Sequence, residues 1–408
     1  MTDLTGESVV SKGSLIGRLR AVDCLRGLVM AVMALDHTRE FLTNSALNSL
    51  DPAKTNLAMY FTRWVTHLCA PVFVFLAGTA IYLQRPRYST SQLSQRVLLR
   101  GCWLVVLELT AVNLIFNFNW HWNVQLLEVI WAIGVSMMIM ALFVRLSLRW
   151  SVFFGLATVI THNAFDKVSK STWGSADWIW QLLHVPGMIT SPLFRSALVV
   201  VAYPLVPWVG VMALGYSFGF IATKRMADVR RVLLYGGLSM LGIFVVLRWT
   251  NAYGDPQKWT HQAHAWRTVL SFMNVQKYPP SLLFLLVTLG LAAVVMAVLI
   301  HAEESGTLEW IRGHLEVFGR VPLFYFLLHI TCIHAIALAL SIVSGSDWRW
   351  WITSFPAGGV LRGRPPGFGF GLPVIWCAWI VVVVACYPVC KWYAGLKSRK
   401  RSPLLSYL

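Results

Sequence analysis

Residues 21–42 read AVDCLRGLVMAVMALDHTREFL. A helix needs about 20 predominantly apolar residues to cross a bilayer core, and this stretch is long enough. It nevertheless holds Asp23, Arg26, Asp36, His37, Arg39 and Glu40. A charge at membrane depth costs several kcal/mol unless it faces a polar interior, so each of these groups marks a candidate site. Eleven steps of about 100° carry the chain from Arg26 to His37, about 20° beyond three full turns, so the two share one face roughly 16 Å apart along the axis. Asp23 lies one turn before Arg26 and is placed to pair with it. Alone, Arg26 reads as a snorkelling anchor and His37 as an interfacial polar residue. Their common face, with Asp36 beside the histidine, argues for a site instead.

The rest of the 408-residue chain is of the same kind: 57% hydrophobic, 12% charged, mean hydropathy +0.62. Soluble domains carry about 25% charged residues. The composition excludes a cytosolic globular enzyme, a disordered chain and a secreted disulfide scaffold. Apolar stretches predict an all-α polytopic membrane protein of about ten spans (nine to eleven) without a soluble domain. They are 21–42, 64–83, 97–118, 125–143, 152–163, 198–222, 232–247, 281–300, 321–343 and 372–392, with 181–200 as a re-entrant candidate. A cytoplasmic segment 1–20, a transmembrane domain 21–393 and a basic cytoplasmic tail 394–408 follow from these bounds.

The chain has 34 Lys and Arg against 17 Asp and Glu, a net charge of +17. The bases sit in short clusters between apolar runs, which suits an anionic membrane rather than nucleic acid. If the amino terminus is cytoplasmic, inner segments hold 20 bases and outer segments 12, and the positive-inside rule then puts both termini in the cytoplasm. The first twenty residues are polar and basic, so the first helix is expected to act as its own signal anchor. Seven cysteines show no CxxC or zinc spacing and read as buried thiols. Two Trp-rich stretches, near 163–200 and 249–280, are expected outside, as a lid or as an aromatic belt.

His67 opens the second span at its outer end and reads equally well as a solvated interfacial histidine or as a site residue. Glu108, Glu128, His329, His334, Asn113, Asn117 and Asn119 read best as hydrogen-bonding groups between helices. Gly210, Gly215 and Gly219 read as helix packing. The sequence has no P-loop, dinucleotide fingerprint, HExxH or metal-ligand cluster, which argues against an ATP-driven pump and against zinc or redox chemistry; no metal is expected.

RLRAVDCLRGLVMAVMALDH (18–37), HLCAPVFVFLAG (67–78), YPLVPWVGVMALGYSFG (203–219), KYPPSLLFLLVTLG (277–290), FGRVPLFYFLLH (318–329) and PGFGFGLP (366–373) resemble the bacterial heparan-α-glucosaminide N-acetyltransferase-like proteins. The Arg26-to-His37 spacing is similar to that of the wider transmembrane acyltransferase superfamily. The resemblance implies that acetyl-CoA or another acyl-CoA, bound from the cytoplasm, donates its acyl group to an amino or hydroxyl group of a sugar or glycan outside the membrane. It implies that Arg26 holds the donor, that His37 is the base, and that the protein lies in a bacterial inner membrane. His67 is the competing base. Asp36 or Glu40 is available to orient His37, and Arg96 and Arg100 to receive the CoA phosphates. The partners expected are the acyl-CoA, the glycan, membrane lipid and, in a homodimer, a second copy, with no nucleic acid. A proton-coupled transporter or flippase is the alternative, although the repeated broken helices of carriers are missing from the sequence.

Overall fold

The computed structural model describes residues 12–43, 50–52, 54–118, 124–189, 198–353, 365 and 367–399. Asn119, residues 1–11 and residues 400–408 of the tail lie outside the described residues. The chain is mostly helical. The first helix, α1 (Lys12–Leu42), is followed by α2 (Leu57–Trp64), a single 3₁₀ turn (Val65–Leu68), α3 (Cys69–Tyr82), α4 (Thr90–Leu107), a π-helical turn (Glu108–Val112) and α5 (Asn113–Asn117). Next come α6 (Val129–Phe143), α7 (Leu148–Thr161), α8 (Asp177–Leu183), α9 (Leu205–Ile221) and α10 (Met226–Thr250). The last helices are α11 (Ala265–Met273), α12 (Leu282–Glu304), α13 (Glu309–Arg320), α14 (Pro322–Val343), α15 (Trp350–Thr353) and α16 (Leu372–Arg399). Among the described residues six helical stretches are long and apolar enough to cross a membrane, and α6 and α9 are shorter apolar helices. The described part of the tail, from residue 394 to 399, continues α16.

The all-α expectation needs one correction. Val124–Leu127 (β1), Gly187–Ile189 (β2) and Leu198–Val201 (β3) form a small sheet in the order β1-β3-β2. β1 pairs parallel and β2 antiparallel to β3. Two of these segments stand at the starts of stretches expected to be helical throughout. Apolar content alone does not separate a short buried strand from a helix. The Leu-Val-Val-Val run favours extended backbone, and Pro204 sits just before α9 as its N-cap. Away from water, strand backbone needs partners from the protein itself. Asn113 supplies them: its Oδ1 accepts from Leu126 N (2.7 Å) and its Nδ2 donates to Leu126 O (3.1 Å). Glu108 Oε1 accepts from Glu128 N (2.7 Å). Glu108 and Asn113, expected to bond between helices, instead bond the backbone of β1 and of Glu128 just after it.

Helices meet where small residues let backbones approach. A Cβ on Gly215 of α9 would stand 2.0 Å from Phe75 O of α3, and one on Gly78 would stand 2.1 Å from Met212 O. Between α1 and α13 the approach is as close, with 1.9 Å from a Gly27 Cβ to Leu315 O and 1.9 Å from a Gly319 Cβ to Asp23 O. Gly215→Ala is expected to cost at least about 1–3 kcal/mol through overpacking. Gly236→Ala, where a Cβ would meet nothing within 4 Å, should be near neutral. Thermal unfolding of the two variants in detergent checks the contrast.

Candidate active site

Helix α1 packs against α3, α12, α13, α14 and α16, so its polar residues face protein rather than lipid. Arg26 Nη1 donates to Asp23 Oδ1 (2.9 Å) and to Gly319 O (3.0 Å). The carbonyl at the carboxyl end of α13 is thereby tied to α1 beside the Gly27 crossing. One stripe of α1 (Arg26, Met30 and Met33) lines a cavity of about 410 Å³. Its polar lining is Arg26 within α1, Gln84 just past α3, Arg100 within α4, Arg320 at the end of α13 and Lys397 near the end of α16; the side of the bundle they mark is here called the basic face. The rest of the lining, Leu104, Ile130, Met33 and Phe326 among it, makes the walls largely apolar.

His37 continues the same stripe one turn past Met33. Its ring meets Phe326 edge-on, centroids 6.1 Å apart, and Phe116 at 5.8 Å. The cavity thus reaches from the basic rim to residues that touch His37. Buried His329 of α14 is the polar neighbour: His37 Nδ1 and His329 Nε2 are 2.8 Å apart, and His329 Nδ1 donates to Tyr325 O at 2.7 Å.

Several sequence expectations are revised. Asp36 does not orient His37: its carboxylate accepts from Arg63 (2.7 Å) and Arg39 (3.1 Å) and lies 3.7 Å from Lys277 Nζ. One carboxylate among three cations is a structural knot tying α1 to α2 and to the segment before α12. Arg96 does not line the cavity, because its guanidinium lies 4.5 Å over the Tyr88 ring. His67, read as a solvated interfacial histidine or as a site residue, is 1% exposed. Neither of its ring nitrogens has a hydrogen-bond partner among the described residues, and Phe284 packs at 5.3 Å. Arg26 and Arg100 line the cavity; His329, Arg320 and Lys397 were not foreseen as members of the site. An ionisable residue inside an apolar run was the available signal for His329. Nothing in the sequence indicated that it faces His37 across 292 positions.

His334 also serves packing. Its ring nitrogens lie 2.9 Å from Ile115 O and 2.9 Å from Trp351 O, and its ring stacks on Phe118 at 3.7 Å. Among the described residues no group of His, Cys, Asp and Glu is arranged to hold a metal ion.

A family model described as heparan-α-glucosaminide N-acetyltransferase, catalytic, matches residues 18–248. These residues include Arg26, His37, His67 and Arg100. No curated protein matches the chain.

Asp36→Ala is expected to destabilise the fold by about 3–5 kcal/mol, because buried Lys277 and largely enclosed Arg63 lose their shared partner. Lys54→Ala, which breaks an exposed pair with Asp51, should cost no more than about 1 kcal/mol. Chemical or thermal unfolding of the solubilised variants measures both.

Proposed function

Because the chain belongs to the heparan-α-glucosaminide N-acetyltransferase catalytic family, and is therefore read as a transmembrane acetyltransferase, we propose that acetyl-CoA enters at the basic face and that its acetyl group leaves for a glycan amine or hydroxyl at the opposite face. The observation that carries this reading is the cavity running from the cationic rim to the surroundings of His37. The basic face is taken to be cytoplasmic, with both chain termini there, in keeping with the positive-inside rule. The spans number about ten, and the membrane is a bacterial inner membrane.

The shape suits the donor's chemistry. Coenzyme A is polyanionic at its nucleotide end and slender along its pantetheine arm. Arg100, Arg320 and Lys397 at the rim match the phosphates by charge. Met30, Met33 and Phe326 match the arm, with the thioester at the inner end. A thioester is already activated, so the protein must position it, remove one proton from the acceptor and support the tetrahedral intermediate. His37 takes that proton as the acceptor nitrogen or oxygen attacks the carbonyl carbon. The C–S bond then breaks, and the departing thiolate collects the proton from His37. Acetylated acceptor and free CoA result, with no lasting acyl-enzyme. The family match gives the carrier alternative no support.

His37→Ala should lower transfer by roughly 10²–10⁴-fold, the usual worth of a general base, and leave stabilisation of the protein by acetyl-CoA intact. Arg100→Ala should do the opposite, weakening that stabilisation with a smaller effect on the saturated rate. Transfer of radiolabelled acetyl groups together with thermal shifts separates the two effects. If His67→Ala abolishes transfer while His37→Ala leaves it nearly whole, the second histidine is the base. If label stays bound to either histidine after acetyl-CoA is removed, the reaction runs in two steps.

A further inference from the structure

Resting on the reading of His37 as base, we propose that His329 is the positioning residue that fixes which nitrogen of His37 is free to take the proton.

Three groups in a row fix where the hydrogens sit. A backbone carbonyl can only accept, so the 2.7 Å contact of His329 Nδ1 with Tyr325 O puts a proton on that nitrogen. A neutral imidazole holds one proton, which leaves His329 Nε2 as a lone pair. Its 2.8 Å contact with His37 Nδ1 then requires His37 to be the donor. The His37 proton is thus held on Nδ1, and Nε2 is left as the basic nitrogen. The two rings lie 13° from one plane with centroids 5.1 Å apart. They meet edge to edge, as a linear N–H···N bond requires, rather than face to face. Tyr325, one turn earlier on α14, lies with its ring 4.8 Å from that of His329 and 13° from parallel to it. His329 is wholly buried, so no water competes for its lone pair.

The arrangement does more than orient. When His37 accepts a proton at Nε2 it becomes a cation, and its Nδ1–H bond to His329 becomes charge-assisted and stronger. That gain arises only as the proton moves, so it lowers the barrier rather than tightening substrate binding. His329 itself neither touches the acetyl group nor changes its proton count.

His329→Leu removes the acceptor and keeps an apolar side chain of related size. His329→Gln restores an oxygen acceptor near the place of Nε2. In the full-length protein, His329→Leu is expected to lower kcat about 10²-fold, less than the ~10⁴ lost when a triad histidine is held in the wrong tautomer. KM for acetyl-CoA and stabilisation by CoA should barely move, and His329→Gln should recover most of the rate. Nitrogen-15 spectra of the labelled protein read the tautomer directly. Wild type and His329→Gln should show His37 protonated at Nδ1, and His329→Leu should shift that population toward Nε2–H. An unchanged His37 tautomer in His329→Leu would overturn the inference. A shifted tautomer with an undiminished rate would instead overturn the role of His37 as base.

Discussion

A helix carrying Asp23, Arg26, Asp36, His37, Arg39 and Glu40 cannot face hydrocarbon, and the architecture follows from that constraint. Each buried charge must find its counterpart inside the protein. Helix α1 therefore runs against α3, α12, α13, α14 and α16, and its polar residues are met one by one. Arg26 reaches Asp23 and the end of α13; Asp36 gathers Arg39, Arg63 and Lys277; His37 meets His329. Paired glycines at the α1–α13 crossing bring the backbones close enough for the Arg26 contact.

The same stripe gives the protein two ends with different chemistry. Arg26, Met30 and Met33 grade from charged to apolar along one cavity wall, and His37 stands at the next turn. A polyanionic ligand with a neutral arm matches this gradient in charge. On the proposed reading, charge at the rim would select the nucleotide end and apolar walls would exclude water from the thioester. Asp36 lies beside His37 in sequence, but its carboxylate is committed to three cations. The acid that sequence proximity suggests as a catalytic partner therefore holds helices together, and His329 of α14 faces His37 instead.

Much of this was legible in the sequence. The membrane class followed from composition, most helix positions from apolar runs, and the shared face of Arg26 and His37 from helical periodicity. The helices extend past the apolar runs where polar ends are tolerated, as in Met226–Thr250 against an expected 232–247. The strands at 124–127 and 198–201 escaped notice because buried strand and buried helix have the same apolar content. Site residues brought together by packing were hidden for another reason. Arg320, Lys397 and His329 join the stripe only through the crossing of α13, α14 and α16 with α1, and periodicity within one helix carries no information about a partner almost 300 residues away. Arg96 illustrates the converse: it has the right charge one turn before Arg100 on α4, yet its guanidinium turns onto Tyr88.

The central claim is that one continuous path joins the basic rim to His37 and holds the donor. A density map of the full-length protein with a non-hydrolysable thioether analogue of acetyl-CoA tests it most directly. The nucleotide is expected at Arg100, Arg320 and Lys397, the arm between Met30, Met33 and Phe326, and the sulfur and acyl carbon beside the His37 ring. An analogue bound from the opposite face, or one whose acyl end points away from His37 toward His67 or lipid, would contradict it.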